Sequence, residues 1–262
     1  MDLGLRDKCA LVMASSAGLG KAIAKEFARE QANVMLFSPF EDELKQAQRE
    51  IYDTTGREPS FFVGSITNAN DIKELVKCTI DHYGPIFSLV NNTGGPPAGT
   101  FDSFDDIAWQ NAYELTLLSY IRTIREVLPS MRANGGGRIL NSTSSSVKSV
   151  LDNLILSNTF RMGVVGLAKT LSQELGKDNI LVNVIAPGRI GTARIDYLDK
   201  VRAEKAGISV EEIQKNTFKN IPLGRYGKPE EYGKLSVFLC SAANTFITGQ
   251  TVLVDGGMVK AI

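Results

Sequence analysis

Short apolar runs alternate with longer stretches whose apolar positions recur every three or four residues, from one end of the chain to the other. The first run, Cys9–Met13, reads as a strand, and Gly18–Glu30 reads as a helix with Leu19, Ala22, Ile23 and Phe27 on one face. The same alternation predicts strands at Asn33–Phe37, Ser60–Val63 and Phe87–Val90, separated by helices at Glu41–Thr54 and Asn70–His82. In the second half it predicts a long helix over Asp105–Ala133, stopped by Gly135–Gly137, and a strand at Arg138–Asn141. A second long helix over Asn153–Gly176 leads to a strand at Ile180–Ile185 that ends at Pro187–Gly188. A polar helical insert at about Asp196–Asn220 follows, within a segment 194–222 placed on the substrate side. A helix at Pro229–Ser241 and a strand at Thr251–Val254 complete the pattern.

Strands this apolar are expected to be buried on both faces, which requires parallel pairing with helical crossovers. Right-handed crossovers then place helices on both sides of the sheet. The expectation is one α/β domain over 1–262, a Rossmann-type, doubly wound parallel sheet of about seven strands.

Composition narrows the possible partners. Lys plus Arg and Asp plus Glu both number 29, so no basic surface for nucleic acid or an acidic membrane is expected. The three cysteines, Cys9, Cys78 and Cys240, lie far apart with no CxxC spacing, and no metal site is expected. Cys9 and Cys240 sit in apolar runs and read as buried thiols. The beginning, MDLGLRDKCALVM, carries acids and no long apolar stretch, unlike a secretory signal. No run approaches the ~18 apolar residues of a membrane span, and a cytoplasmic location is expected.

The candidate chemistry lies in the turns. Met13-Ala14-Ser15-Ser16-Ala17-Gly18-Leu19-Gly20 joins the first strand to the first helix, where helix N–H groups and the positive dipole end can face a pyrophosphate. Gly18 and Gly20 allow close backbone approach; the plain alternative is an ordinary tight turn. Asn91-Asn92-Thr93-Gly94-Gly95 leaves the fourth strand, which should neighbour the first where strand order reverses. Asn91 is suited to tying strands together and Gly94 to letting backbone approach a ribose, although an Asn/Gly turn alone would look the same.

With these segments in order, the chain resembles the short-chain dehydrogenase/reductase family along nearly its whole length, and within it the 3-oxoacyl-acyl-carrier-protein reductase-like members. The family's TGxxxGxG is similar to Met13–Gly20, with Ala14 for the first glycine, and its NNAG to Asn91–Gly94, with Thr93 for the alanine. GGRILNSTSS (Gly136–Ser145) is similar to the segment carrying the catalytic serine. PGRIGT (Pro187–Thr192) is similar to the loop that contacts the nicotinamide carboxamide, and ITGQTVLVDGG (Ile247–Gly257) to the last strand. The resemblance implies a nicotinamide dinucleotide held by Ala14, Ser16, Gly18, Leu19, Gly20, Ser38, Ser65, Asn91, Thr93, Gly94, Arg161, Pro187, Gly188, Ile190 and Thr192. It also implies a small-molecule carbonyl or acyl-thioester substrate and a homodimer or homotetramer packed through its long helices.

The family's Asn–Ser–Tyr–Lys tetrad maps incompletely. VVGLAKTLSQEL (Val164–Leu175) fixes the register and puts Ser157 at the tyrosine and Arg161 at the lysine. Ser144 holds the serine position, and Thr116 stands for the asparagine. A tyrosine near a cation has a pKa tunable from ~10, whereas a serine is a much weaker acid. Arg161 keeps a positive charge and donors for ribose hydroxyls but does not relay a proton by titrating. Ser157 and Arg161 share a helix face, which could also be a polar face without catalytic role.

The second strand ends Phe37-Ser38-Pro39-Phe40, with neither the acid that selects NAD nor the Arg that selects NADP, and Ser65 replaces the aspartate expected near adenine. Without a repelling carboxylate the reading leans to NADP over NAD. His82 reads as a solvated helix-end residue, and Asp105 and Asp106 as charges at a helix start. Two functions follow: a reductase interconverting a carbonyl and an alcohol, or a dinucleotide-binding sensor or partner protein that has lost turnover.

Overall fold

A computed structural model describes residues 1–261. Seven parallel strands run in the order β3-β2-β1-β4-β5-β6-β7. They are β1 (Cys9–Val12), β2 (Asn33–Ser38), β3 (Ser60–Val63), β4 (Ile86–Asn91), β5 (Gly137–Ser142), β6 (Ile180–Pro187) and β7 (Thr251–Val254). The helices are α1 (Gly18–Arg29), α2 (Glu41–Thr55), α3 (Ala69–Tyr83), α4 (Asp106–Tyr113), α5 (Ser119–Ala133), α6 (Ile155–Glu174), α7 (Ala193–Ala206), α8 (Val210–Phe218) and α9 (Pro229–Leu239).

Alternating strand residues feed two cores. Ala10 and Val12 point to the α1, α2 and α9 side, where Phe27, Ile51 and Tyr232 are buried. Cys9 and Leu11 point to the α3, α5 and α6 side, with Leu75, Val127 and Ala168. Residues buried on both faces give the near-continuous apolar strands read from the sequence. Cys9 and Cys240 are buried and unpaired, whereas Cys78 is exposed. Among the described residues no helix is long and apolar enough to cross a membrane.

Local signals explain the ends of several helices. Asn68 Oδ1 accepts from Asn70 N–H at 2.9 Å before α3, and Asp105 Oδ1 accepts from Ala108 N–H at 2.9 Å before α4. Gly56 closes α2 in the left-handed region, φ 69°. His82 lies in the last turn of α3, bonded to Ser60 Oγ at 3.0 Å and edge-on to Tyr83.

Two helical predictions need correction. The single helix expected over Asp105–Ala133 is divided by a π-helical turn, Glu114–Leu118, between α4 and α5. Thr116 Oγ1 donates to Ala112 O at 2.5 Å, Ser119 Oγ to Leu115 O at 2.6 Å and Thr123 Oγ1 to Ser119 O at 2.6 Å. Hydroxyls drawn onto carbonyls one turn back compete with the α-helical ladder and widen it. The insert expected as one helix is two, α7 and α8, separated by Gly207 at φ 66° and capped anew by Ser209.

Beyond backbone pairing, amide side chains cross the middle of the sheet. Asn91 Nδ2 on β4 donates to Asn141 Oδ1 on β5 at 2.9 Å, and Asn141 Nδ2 donates to Asn183 O on β6 at 3.5 Å. All three residues are buried. Asn141→Leu would strand the Asn91 amide, and it is expected to lower unfolding free energy by about 2 kcal/mol. Urea denaturation checks this; a loss below about 0.5 kcal/mol would contradict a structural role for the ladder.

Candidate active site

The loop after β1 is shaped by its own backbone. Ala14 stands at φ 46°, a left-handed conformation that costs a residue with a Cβ roughly 1–2 kcal/mol. Ser15 Oγ donates to Val12 O at 2.8 Å and accepts from Phe37 N–H at 3.0 Å, locking the loop onto β2. Gly20 has no room for a side chain, because a Cβ there would lie 2.2 Å from Ala14 O. Gly18, at φ 56°, borders open space, with nothing within 4 Å of where a Cβ would stand. Leu19 packs on the core behind the loop. Ala17 provides no side-chain cap for α1, so the N–H groups of its first turn face that open space. A bare helix N-terminus under an open glycine turn fits a pyrophosphate.

Across the sheet's central crevice, Asn92 Nδ2 donates to Met13 O at 3.4 Å and to Ala14 O at 3.3 Å. The two loops beside β1 and β4 are thereby fastened to each other. Thr93 is half-buried, Gly94 is exposed, and open space lies above Gly94 as it does above Gly18. Pro187 ends β6, and Gly188, Ile190 and Thr192 lead from it into α7. Gly188 has no space for a Cβ, which would lie 2.6 Å from Asp255 Cβ, and Ile190 is buried and bridged to Gly227. Arg189 approaches the buried Asp199 at 4.0 Å, and Tyr226 donates to Asp199 Oδ2 at 2.6 Å, holding α7 against the body.

Ser38 ends β2, and Ser65 follows β3. Ser16 Oγ lies 3.0 Å from Ser38 Oγ and donates to Glu43 Oε2 at 2.9 Å. The end of β2 carries no acid, as read from the sequence, but Glu43 in the first turn of α2 brings one back to it. Ser65 N–H donates to Asp71 Oδ2 at 2.8 Å, so a carboxylate also stands behind this position. Both acids were missed because they come from following helices, and only the fold brings them to the strand ends. Asn92 had a signal, the doubled asparagine.

The candidate catalytic positions lie in the turn after β5, on α6 and in the π-helical turn. Ser144 lies just past β5 and is half-buried, and its Oγ accepts from Ser146 N–H at 3.2 Å. The short turn 145–147 packs against α6. On α6, Arg161 Nε donates to Ser157 Oγ at 3.1 Å, and Nη1 donates to Ser142 O at 3.3 Å. Ser157 and Arg161 are each only 6% exposed, so the guanidinium is desolvated, and none of the carboxylates described lies within ion-pairing distance of it. Tyr120 OH on α5 donates to the same Ser142 O at 2.8 Å, and Tyr232 OH on α9 bonds Ser142 Oγ at 2.8 Å. Burial pushes the Tyr120 phenol up to about 12, and Tyr232 is raised by burial as well. Thr116 is fully buried in the π-helical turn, its proton held by Ala112 O.

Comparison with known proteins shows the family. The family model described as Enoyl-(Acyl carrier protein) reductase matches residues 13–259. The chain belongs to the short-chain dehydrogenase/reductase family. It is 31% identical to the 3-oxoacyl-[acyl-carrier-protein] reductase FabG of Thermotoga maritima, over 97% of this chain and 99% of that one. It is also 31% identical to the 7alpha-hydroxysteroid dehydrogenase of Escherichia coli K12, over 100% and 98% of the two chains. Among solved structures, L-sorbose reductase from Gluconobacter frateurii, complexed with NADPH and L-sorbose, superposes with a TM-score of 0.95 at 32% identity and full coverage of both chains. This family member is an NAD(P)-dependent oxidoreductase of carbonyl and alcohol groups.

Glu43 gives a direct test of how the dinucleotide is read. Glu43→Gln keeps the hydrogen bond to Ser16 and removes a charge that would repel a 2′-phosphate placed at the end of β2. Calorimetry is expected to show NADPH affinity rising about 5–10-fold and NADH affinity changing less than about 2-fold. Equal gains for both cofactors would show that Glu43 does not face the 2′ position.

Proposed function

We propose that this protein reduces the carbonyl of a small molecule or acyl thioester, with Ser144 holding the carbonyl oxygen and Arg161 orienting the nicotinamide ribose. The observation that carries the reading is the buried Arg161–Ser157 pair beyond β5, beside the half-buried Ser144. The loops at Gly18–Gly20 and Asn91–Gly94 would hold the dinucleotide, which supplies a hydride when bound. Pro187, Gly188, Ile190 and Thr192 would keep its carboxamide end in place. Ser157, or a water beside it, would pass the proton, and Thr116, whose own proton is engaged, would help shape α4 and α5 around the site.

NADPH is the first cofactor to test. L-sorbose reductase and the actinorhodin polyketide ketoreductase are both described with NADPH, although the 7α-hydroxysteroid dehydrogenase is described with NADH. Glu43 works against a 2′-phosphate, so discrimination between the two cofactors should be modest. The exposed apolar side chains Phe101, Ile107, Val150 and Met162 support a homodimer or homotetramer, and the unpaired cysteines fit a reducing cytoplasm.

A second reading, a dinucleotide-binding sensor without turnover, is favoured by one feature, Ser157 at the tyrosine position. Steady-state oxidation of NADPH and NADH over a ketone panel separates the two, since the sensor binds cofactor and turns nothing over. On the reductase reading, Ser144→Ala should lower kcat about 10–100-fold with the fold intact by circular dichroism. Wild-type rates in that variant would end the role given to Ser144.

A further inference from the structure

Protons on the catalytic face can be assigned donor by donor. Arginine has no acceptor, so Ser157 must accept in its bond with Arg161. Ser144 Oγ accepts as well, from Ser146 N–H. Neither serine's own O–H meets an acceptor among the described residues. Of the other hydroxyls nearby, Thr116 donates to Ala112 O and Tyr120 to Ser142 O, Tyr232 is bonded to Ser142 Oγ and Ile185 O, and Ser146 Oγ is buried without a partner. Ser144 and Ser157 keep their hydroxyl protons free, and Ser157 is backed by a desolvated cation.

That set can stabilise a negative oxygen but holds no readily ionised acid. The ionisable groups on the surrounding elements do not fill the gap. Tyr120 faces the pair from α5 and Tyr232 from α9, both buried and both held neutral by that burial. Tyr113 packs on Phe160, and Glu114 bonds Gln110 on the side of α4. Lys148 and Asp152 are exposed in the loop before α6, and Arg189 is turned toward Asp199. The single histidine, His82, sits at β3 against Ser60.

Resting on the reductase reading above, we infer that this site reduces electron-poor carbonyls, such as 1,2-dicarbonyls and 2-oxo esters, whose alkoxide forms without a proton delivered in the same step. The hydride from the reduced nicotinamide forms the new C–H bond, and the C=O π pair moves onto oxygen. Ser144 and Ser157 donate to that alkoxide, and Arg161 polarises Ser157 from behind. Water then protonates the alkoxide, and the hydroxide left is taken up by buffer. Electron-withdrawing neighbours that lower the alcohol's pKa stabilise this alkoxide, which plain ketones cannot do.

The test uses ring-substituted acetophenones and ring-substituted aryl 2-oxo esters with the whole enzyme and NADPH. The expected result is a rise in kcat/KM of about 100-fold or more from the most electron-rich to the most electron-poor member of each series. kcat should be flat between about pH 6 and 9, with no solvent deuterium isotope effect. An independent readout is 4-nitrophenol binding in the presence of NADP⁺: the site should take the phenolate, followed by its absorbance, and Ser144→Ala or Ser157→Ala should weaken that binding about 10-fold. Equal rates across each series, or a kcat that follows one ionisation with a solvent isotope effect, overturn this inference and leave the reductase reading intact. No turnover of any carbonyl, with the dinucleotide bound, removes both.

Discussion

The parallel pairing of β1 with β4 is the contact on which the site depends. Chain order runs outward from β1 in one direction through β2 and β3, and resumes at β4 on its other side. The crossovers on the two sides must leave in opposite directions, so the loops after β1 and β4 part and leave a crevice between them. Met13 N–H donating to Val90 O at 3.0 Å holds the two strand ends level, and Asn92 then ties the parted loops together from within. The open floor above Gly18 and Gly94 exists because those strands are adjacent and their loops are not.

The architecture was legible because burial on two faces leaves a strong mark. The strands at Ser60–Val63 and Thr251–Val254 fall where the apolar runs placed them, and Asn91 ties neighbouring strands through its side chain as its position implied. Periodicity could not show the π-helical turn, since Leu115, Thr116 and Leu118 continue an acceptable helical pattern and the break comes from hydroxyls bonding back to carbonyls. Glu43 and Asp71 were out of reach for another reason. Glu43 is five residues beyond the end of β2 and Asp71 eight beyond the end of β3, and only the angle of the following helix determines that return.

Ser157 and Arg161 were legible as positions but not as an arrangement. The spacing put them on one helix face, yet it could not show that the guanidinium is buried, that Ser142 O receives both Arg161 and Tyr120, or that Ser157 is left with its proton free. Those features come from β5, α5 and α9 converging behind α6. The side chain at the tyrosine position is a whole ring shorter than the family's, so the reacting group must approach α6 more closely to meet it.

The π-helical turn at Glu114–Leu118 has a consequence for how the chain's length can change. Such a turn holds one residue more than an α-helical turn over nearly the same rise. The faces of α4 and α5 are therefore set independently of that extra residue, Asp105 capping one and Tyr120 anchoring the other on Ser142 O. Relatives of this chain that lack one residue here would straighten the helix and still present the same two faces to the sheet. Elsewhere in either helix a deletion would rotate everything beyond it by about 100°. The turn is a place where an alignment gap is structurally silent, while a gap a few residues away would carry Tyr120 off the carbonyl it holds.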